Sequence, residues 1–310
     1  MAWKEFRRGK RSKTDVREFE FSLEENLFNL HYDLKQKIYN HGLYQSFYIQ
    51  DPKLRHINKA TVRDRVLHHA VFRIFYPIFD KLFIYDSYSC RKDKGTHAAV
   101  NRLDSFLDRS SCNNSKKVFV LKCDIRKFFD SVNHQTLLKF IKNKVTDKNL
   151  IWLVEKIIFS FEFKKGQGIP LGNVTSQLFA NIYLNELDQF IKHKLKVRHY
   201  IRYCDDFIII SKNDNYLQQL ISVINLFLRD YLALTLHERK IIIRPYRQGI
   251  DFLGYVLLPH YRVLRTKTKR RILKLIKKNL INEKSLPSYL GHLQHCRSFK
   301  LRKLLYSNSR

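Results

Sequence analysis

The chain has 310 residues, of which 44% are hydrophobic and 14% aromatic, and this composition excludes an intrinsically disordered protein. Its 59 Lys and Arg outweigh 28 Asp and Glu to give a net charge of +31, which is typical of a protein that binds a polyanion, usually nucleic acid. The alternative, a basic membrane-surface protein, is disfavoured because the sequence has no amphipathic anchor, lipidation motif or long apolar run.

Cysteines and histidines give no sign of zinc or of a disulfide framework. The five cysteines include no CxxC pair, and the thirteen histidines include no HExxH motif. The N-terminus is basic but lacks the apolar stretch of a signal peptide, so we expect a cytoplasmic protein.

The N-terminal third is predicted to contain helices and one hairpin. Ser22 and Glu25 have the spacing of a capping box, which predicts a helix from there to about Tyr39. The alternating residues around Asp51-Pro52 predict a two-stranded hairpin, and residues 61–80 are predicted to be helical.

The middle of the chain is predicted to mix strands and helices. Thr96 is the expected N-cap of a helix. The apolar run that ends at Asp124 predicts a buried strand, followed by a turn and a helix from about His134. The remaining predicted elements are a Gly/Pro loop and long helix at 168–191, two short strands at 199–214 with acids at the tip, a helix at 215–233, and strands at 234–245 and 250–259.

The C-terminal segment, residues 261–310, is predicted to be a small basic helical module. It contains fifteen Lys or Arg and one acid, Glu283. An apolar stripe at helical spacing predicts a first helix, and a second is expected after Pro287; the stripe consists of Ile272, Leu275, Ile276 and Leu280. We therefore expect an N-terminal helical extension at 1–45, an α/β core at 46–260 and the basic module at 261–310.

Three carboxylates are predicted to meet in the core. Asp124 ends one apolar strand, and Asp205 and Asp206 lie at a hairpin tip, so pairing of the strands would bring them within a few ångströms. Carboxylates packed that closely raise one another's pKa unless cations neutralise them. Two Mg²⁺ ions suit such oxygen ligands, and they would activate a 3′-hydroxyl and stabilise a pyrophosphate leaving group.

The alternative is that Asp205 and Asp206 are ordinary turn residues, since Asp is favoured in turns. Two features weigh against it. Apolar strands run directly up to the acids, and Cys123 and Cys204 each precede an acid. We expect both cysteines to point to the opposite, buried face and to leave the acids exposed.

Five segments occur in the order and at the spacing of the reverse-transcriptase palm motifs: CDIRKFFDSV, GIPLGNVTSQLFANIYL, YCDDF, HERKIII and DFLGY. Over residues 50–310 the chain resembles the bacterial reverse transcriptases related to group II introns. The resemblance implies an α+β right-hand polymerase, with fingers and palm of antiparallel sheet and helices at 46–260 and a small helical thumb at 261–310. It also implies that the partners are template RNA, a cDNA primer–template and dNTPs.

The resemblance assigns catalytic and metal-binding roles to the acids. Asp124 and Asp205 match the ligands of two Mg²⁺ ions, with Asp206 beside them and the Ile125 carbonyl as an additional ligand. Phe129 matches the aromatic gate beneath the incoming sugar, although a core position is the alternative, and its neighbour Phe128 is expected to pack beside it in the nucleotide pocket.

Cations and a primer grip complete the resemblance. Lys53 and Arg55, on the fingers hairpin, match residues that hold the triphosphate, and Lys240 matches a lysine near the pyrophosphate. For Lys53 and Lys240 a solvated surface position remains open. The primer grip matches Phe252, Leu253 and Gly254; for Gly254 a plain bulge glycine is the alternative.

The loop LGNVTSQ, residues 171–177, departs from the usual Gln-Gly-x-x-x-Ser-Pro pattern. Leu171 replaces Gln and Gln177 replaces Pro around the retained Gly172 and Ser176, all four belonging to the expected dNTP pocket. This double change resembles diversity-generating retroelement reverse transcriptases. That class copies a template RNA with misincorporation opposite adenine, aided by a basic oligomeric accessory variability protein.

Leu171 offers a physical reason for low fidelity, because it can neither donate nor accept a hydrogen bond. Loss of a positioning hydrogen bond costs about 1 kcal/mol, enough to weaken discrimination between correct and incorrect pairs. The alternative for Leu171 is a packing role in the loop.

Three alternatives remain for the function of the whole chain. They are a group II intron or retron reverse transcriptase, a non-catalytic maturase-like RNA-binding protein, and a structural basic protein of ribonucleoprotein particles.

Overall fold

Helices and antiparallel strands alternate along the chain. The structure is a computed structural model that describes residues 1–50, 54–278, 280–281 and 285–307. Its helices are α1 (Ala2–Arg7), α2 (Thr14–Phe21), α3 (Leu23–Lys35), α4 (Val62–Phe79), α5 (Thr96–Ser111), α6 (Phe128–Ser131), α7 (His134–Lys142), α8 (Lys148–Ile158), α9 (Val174–Gln189), α10 (Asp214–Leu232), α11 (Thr266–Lys277), α12 (Leu286–Gln294) and α13 (Phe299–Ser307). Its strands are β1 (Gln45–Gln50), β2 (Leu54–Lys59), β3 (Phe119–Asp124), β4 (Tyr200–Tyr203), β5 (Asp206–Ser211), β6 (Ile242–Pro245), β7 (Ile250–Phe252), β8 (Tyr255–Leu258) and β9 (Tyr261–Leu264). Across the described ranges, none of the helices is long and apolar enough to span a membrane.

The chain forms two compact units, each built from three segments. The first unit consists of Met1–Tyr85, Ile125–Leu195 and Asn225–Leu236. The second consists of Asp86–Asp124, Lys196–Ile224 and His237–Arg310. The predicted divisions at 1–45, 46–260 and 261–310 are contiguous in sequence, whereas each of these units combines three separate segments. The divisions therefore stay a prediction.

Buried polar contacts hold the N-terminal segment of the first unit on α4. Thr61 is the N-cap of α4, and its hydroxyl accepts the Asp64 backbone N–H at 3.2 Å. The buried Asp64 carboxylate accepts the Tyr39 hydroxyl at 2.8 Å and the Gly42 N–H at 3.0 Å. Because a buried carboxylate is costly without hydrogen bonds, these donors fix the path of the chain between α3 and β1.

The hairpin and the helix after it are confirmed. β1 and β2 pair in antiparallel register, with Gln45 opposite Lys59, and α4 fills most of the range predicted as helical. The predicted turn at Asp51-Pro52 and the predicted triphosphate ligand Lys53 lie outside the described residues.

Two antiparallel sheets organise the second unit. One sheet has the strand order β4-β5-β3-β6 and the other has the order β7-β8-β9. Val120 on β3, Ile208 on β5 and Leu103 on α5 belong to one buried core that extends to β8 and α11. The apolar composition of β3 and β5 places these strands in the interior, so that the acids at their ends lie where the sheet meets solvent.

One predicted N-cap and one helix end are wrong in detail. Ser22 is the N-cap of α3, as predicted, although its side chain makes no capping hydrogen bond, and α3 ends at Lys35 rather than near Tyr39. Thr96 is the first residue of α5 and Gly95 is its N-cap, because Gly95 adopts a φ of +114° that favours glycine.

Strand boundaries differ as well. In the predicted strand at 234–245, Ile242–Pro245 is extended and pairs with β3, whereas residues 238–240 form a 3₁₀ turn. Tyr261–Leu264 is β9 rather than part of a helix, because it pairs with the edge of β8. Leu280 lies beyond the end of α11 and is 60% exposed, so it does not extend the apolar stripe.

Candidate active site

Three acids lie at one end of the four-stranded sheet. β3 ends at Asp124, β5 begins at Asp206, and the two residues are directly opposite in the antiparallel register. Asp205 occupies the two-residue turn between β4 and β5, whose first residue, Cys204, has a φ of +56°. The predicted hairpin tip is confirmed. Asp205 is a turn residue, as the alternative interpretation expected, whereas Asp206 is a strand residue that pairs with Asp124.

The cysteines before the acids differ from each other. Cys123 is completely buried, as predicted, and burial raises the pKa of its thiol to about 12. Cys204 is partly exposed, because a turn residue is not constrained to the alternating pattern of a strand. Burial nevertheless raises the pKa of the Cys204 thiol, so the predicted buried thiol is confirmed for Cys123 and agrees in part for Cys204.

Asp205 and Asp206 lie in an environment that disfavours their negative charge. Burial raises the pKa of Asp205, and the charge of Asp124 adds to the effect. Burial also raises the pKa of Asp206 to about 6, with further contributions from Asp124 and Asp205, although Lys122 opposes the shift. The Oδ1 atom of Asp206 is buried and has no hydrogen-bond partner. Negative charge therefore accumulates at this end of the sheet.

Two lysines neutralise part of that charge. Lys240 Nζ donates to Asp124 Oδ1 at 2.6 Å, and Lys122 Nζ lies 3.1 Å from Asp206 Oδ2. Among the described residues, no group of three or more His, Cys, Asp or Glu is arranged to hold a metal ion. The predicted convergence of three carboxylates is thus incomplete here, because lysines occupy positions against two of them.

Lys122 is absent from the predicted site. It precedes Asp124 by two residues on β3, and this spacing puts both side chains on one face of the sheet. Its Nζ also donates to the Asp251 carbonyl at 2.9 Å and lies 5.9 Å from the centre of the Phe252 ring. Lys122 therefore connects the acid-bearing sheet to β7.

Lys122→Met is expected to destabilise the second unit. It removes a hydrogen bond to a carboxylate and leaves Asp206 without its cation, so we expect the free energy of unfolding to fall by about 2 kcal/mol. Urea denaturation measures this change. Lys122→Arg keeps the charge and should retain most of the stability, whereas unchanged stability in Lys122→Met would show that the contact is dispensable.

The segment predicted as a primer grip forms the turn of the β7–β8 hairpin. Phe252 pairs with Tyr255, and the two residues between them have positive φ, +48° for Leu253 and +92° for Gly254. Two consecutive positive φ angles are typical of a tight hairpin turn. Gly254 is therefore a turn glycine and not a bulge glycine.

The first unit brings together the predicted nucleotide-binding loop and the β1–β2 hairpin. The Asn58 N–H on β2 donates to the Leu171 carbonyl at 3.0 Å, and the Asn173 side chain donates to the Asn58 carbonyl at 2.9 Å. The Ile169 N–H donates to the Phe129 carbonyl at 2.8 Å. Residues 169–173 are thus fixed both to β2 and to α6.

The predicted side chains of the first unit differ in exposure. Arg55 lies opposite Ile49 on the hairpin and is exposed. Ile125, Phe128 and Ser176 are buried, Phe129 and Leu171 are partly exposed, and Gly172 and Gln177 are exposed. The burial of Phe128 agrees with its expected packing role and leaves Phe129 as the accessible ring.

Gly172→Ala is expected to destabilise the first unit. Gly172 has a φ of +117°, and an added Cβ would lie 2.8 Å from Ile57 Cγ2. Backbone strain and steric overlap together should lower the free energy of unfolding by about 2 kcal/mol or more. Gly166→Ala is the control, because Gly166 has a φ of +70° and open space around it. Denaturant titration should show the larger loss for Gly172→Ala, and equal losses would exclude the contact with Ile57.

Sequence comparison identifies the family. The pattern of the reverse transcriptase (RNA-dependent DNA polymerase) family matches residues 49–257. Protein YkfC of Escherichia coli K12 is 26% identical over 244 residues, covering 66% of this chain and 64% of YkfC. Group II intron-encoded protein LtrA of Lactococcus lactis subsp. cremoris is 26% identical over 298 residues, covering 74% of this chain and 48% of LtrA. The chain thus spans about half to two thirds of the length of these relatives.

Solved structures with a similar fold include two telomerases determined in complex with a fragment of telomeric RNA. The Candida tropicalis enzyme has a TM-score of 0.55 at 14% identity, covering 91% of this chain and 56% of that one. The Candida albicans enzyme has a TM-score of 0.54 at 12% identity, covering 79% and 51%. The expected α+β right-hand polymerase fold is confirmed.

The family pattern extends over more than half of the chain. It includes the strands that carry Asp124 and Asp206, the turn that carries Asp205, and the loop that is fixed to the β1–β2 hairpin. The chain belongs to the reverse transcriptase (RNA-dependent DNA polymerase) family.

Proposed function

We propose that this chain is an RNA-directed DNA polymerase that copies a template RNA into cDNA from dNTPs. The observation that carries the proposal is the register of β3 and β5, which sets Asp124 opposite Asp206 and leaves Asp205 in the adjoining turn. Packed carboxylates whose pKa values are raised by burial and mutual repulsion are typical of sites that recruit cations.

The residues at this end of the sheet fit Mg²⁺. All the donors are oxygen atoms, which this ion prefers, and the buried Asp206 Oδ1 has no hydrogen-bond partner in the described structure. Asp124 and Asp205 would hold two ions, with Asp206 and the Ile125 carbonyl as further ligands. When bound, such ions activate a 3′-hydroxyl and stabilise the pyrophosphate leaving group.

The chain's own cations prepare the site electrostatically. Lys240 Nζ donates to Asp124 Oδ1 at 2.6 Å, and Lys122 offsets the charge of Asp206. We propose that Lys240 also interacts with the pyrophosphate, because it lies beside the acids rather than on a distant solvated surface. Arg55, exposed on β2, is proposed to hold the triphosphate together with Lys53.

The partly exposed Phe129 is proposed as the gate beneath the sugar, and the buried Phe128 supports it at 5.4 Å between ring centroids. Leu171 and Gly172 would contact the nucleotide directly. Ser176 is buried at the start of α9 and would position the loop, while the exposed Gln177 would face the substrate. The β7–β8 turn at Phe252, Leu253 and Gly254 would guide the primer.

Counting bound metal ions tests this proposal. Mn²⁺ replaces Mg²⁺ at oxygen sites and is visible by electron paramagnetic resonance. With template–primer and dNTP present, we expect two Mn²⁺ ions per chain. The triple variant Asp124→Asn/Asp205→Asn/Asp206→Asn should bind no Mn²⁺ at this site. Equal Mn²⁺ binding by the wild type and the triple variant would contradict the assignment.

Within the family, we propose the diversity-generating retroelement class, with low fidelity at template adenines. The support is the combination of Leu171 and Gln177 in a loop whose backbone is fixed by Asn58. The partners would then include a particular template RNA and a basic oligomeric accessory variability protein. A group II intron-type enzyme is the second candidate, which the similarity to LtrA favours.

Leu171→Gln separates these two candidates. A glutamine can form the hydrogen bond that leucine cannot, and about 1 kcal/mol of added discrimination corresponds to roughly fivefold less misincorporation opposite adenine. Sequencing of cDNA from a defined RNA template measures the error spectrum. Leu171→Met, which stays apolar, should keep the original spectrum, and an unchanged spectrum in Leu171→Gln would remove Leu171 from the fidelity account.

A further inference from the structure

A charged pocket of about 760 Å³ lies in the second unit, away from Asp124, Asp205 and Asp206. Its walls come from α5, β9, the turn between α12 and α13, and the start of α13. The residues used below, which we call the arginine pocket, are Asp104, Asp108, Tyr261, Arg262, Arg297, Phe299 and Arg302.

The arginine pocket is at the opposite end of β3 from Asp124. His260 also lines the pocket, and its ring contacts the Asn114 side chain at 3.4 Å, ahead of the first residue of β3. Six residues of extended strand span about 17–20 Å, so the pocket is a separate location from the acid cluster.

In the described part of the chain, several charged side chains of the arginine pocket form no salt bridge with one another. Within the described residues, Arg262, Arg302 and Asp108 form no salt bridge, and the buried Arg262 Nη1 and Arg302 Nε donate to no acceptor. A buried N–H without an acceptor costs about 1–3 kcal/mol, so a ligand that supplies acceptor oxygens would relieve that cost.

Two aromatic rings border the same charges. Tyr261 is 42% exposed and carries the Arg297 guanidinium at 5.2 Å from its ring centre. Phe299, the first residue of α13, is 74% exposed. Exposed rings beside arginines are typical of surfaces on which unpaired bases stack.

We infer that the arginine pocket binds a single-stranded segment of RNA. Phosphate oxygens accept from Arg262 and Arg302, bases stack on Tyr261 and Phe299, and the carboxylates of Asp104 and Asp108 accept from the amino or imino groups of a base edge. Carboxylates in an otherwise basic pocket favour a ligand with both acceptors and donors, which an unpaired nucleotide has and a bare phosphate lacks. This site goes beyond polymerisation, because it would hold RNA at a distance from the acids.

Anisotropy of a fluorescent, unstructured RNA with a blocked 3′ end tests the inference without Mg²⁺ or dNTPs, so its outcome is independent of the proposed polymerase activity. The double variant Arg262→Gln/Arg302→Gln should bind at least about tenfold more weakly, and its salt slope should fall by about 1.4, for two phosphates. Lys300→Gln/Lys303→Gln is the matched control, because it removes two exposed cations outside the pocket from α13, the helix that carries Arg302. The control should lose less than about threefold.

Phe299→Ala provides a test that does not depend on buried arginines. Its exposed ring contributes little to folding, whereas loss of base stacking should weaken RNA binding by about fivefold or more. Equal losses in the two double variants, or wild-type affinity in Phe299→Ala, would overturn the inference. If the pocket variants lose affinity for single-stranded DNA of the same sequence but keep wild-type affinity for the RNA, the assignment to RNA is overturned.

Discussion

Asp205→Asn is expected to abolish RNA-templated DNA synthesis. Asn keeps the shape of the turn residue but removes the charge that would hold a cation, and metal ions supply several kcal/mol of transition-state stabilisation in such reactions. A loss of about 4 kcal/mol corresponds to about 10³-fold in rate. Single-turnover addition of one nucleotide to a primer on an RNA template measures the loss directly.

The loss of activity should not come from unfolding, because burial raises the pKa of Asp205 as well as that of Asp206, and Asp206 shows the larger effect expected on stability. The pKa of Asp206 is raised to about 6 in the folded chain, above its ordinary value near 4, so folding disfavours the ionised form. This unfavourable contribution is present above about pH 6 and disappears as the pH falls below about 4. Asp206→Asn should therefore be at least as stable as wild type at pH 8, and its advantage should shrink on acidification. Thermal unfolding across pH checks this, and an Asn variant that unfolds at pH 8 would contradict the electrostatic account.

Phe129→Ala is expected to weaken discrimination against ribonucleotides. Phe129 is partly exposed on α6, and removing its ring would open space for a 2′-hydroxyl. Pockets that exclude a single extra group discriminate by about 10- to 200-fold, so we expect ribonucleotide use to rise by about tenfold or more. Competition between dNTP and rNTP in primer extension gives the ratio of kcat/KM values.

Phe128 provides the contrast for this prediction. It is 1% exposed, so Phe128→Leu should preserve most of the core volume and leave sugar discrimination unchanged. If Phe129→Ala incorporates ribonucleotides no better than Phe128→Leu does, Phe129 is a packing residue and the gate lies elsewhere.

Local patterns predicted the elements that carry the acids. The apolar run before Asp124 and the two short apolar runs around Asp205 and Asp206 are strands. Runs of β-favouring residues bounded by polar residues are a local signal for a strand and for its ends. The antiparallel pairing of β3 with β5 did not follow from these runs, because apolar composition indicates a central strand and does not fix its direction or its neighbour. The position of each acid within its own element was therefore predictable from composition along the chain, but the pairing of the strands was not.

Contacts that depend on side-chain reach were not predictable. The salt bridge between Lys240 and Asp124 joins residues 116 positions apart, and the contact from Lys122 to Asp251 joins residues 129 apart. A strand periodicity of two shows that Lys122 and Asp124 share a face, which is a signal that was available in the sequence. It does not show which partner an amine reaches.

Edges and ends account for the remaining errors. β9 is a strand because it completes a sheet with β8. Tyr261 and Val263 favour a strand locally, but the basic composition of 261–310 as a whole led to a helical prediction for this segment. Leu280 has the spacing of the apolar stripe but lies after α11 has ended at Lys277. Spacing predicts a face while a helix lasts and does not predict where the helix ends.

Incorporation of dNTPs on an RNA template–primer is the measurement that tests the central claim most directly. The 310-residue chain is supplied with Mg²⁺ and with the accessory protein and template RNA proposed above, and extension is followed for the wild type and for Asp205→Asn. We predict Mg²⁺-dependent cDNA synthesis by the wild type and none by the variant. No synthesis by the wild type under these conditions, or equal synthesis by both proteins, would contradict the claim that Asp124, Asp205 and Asp206 form a polymerase active site.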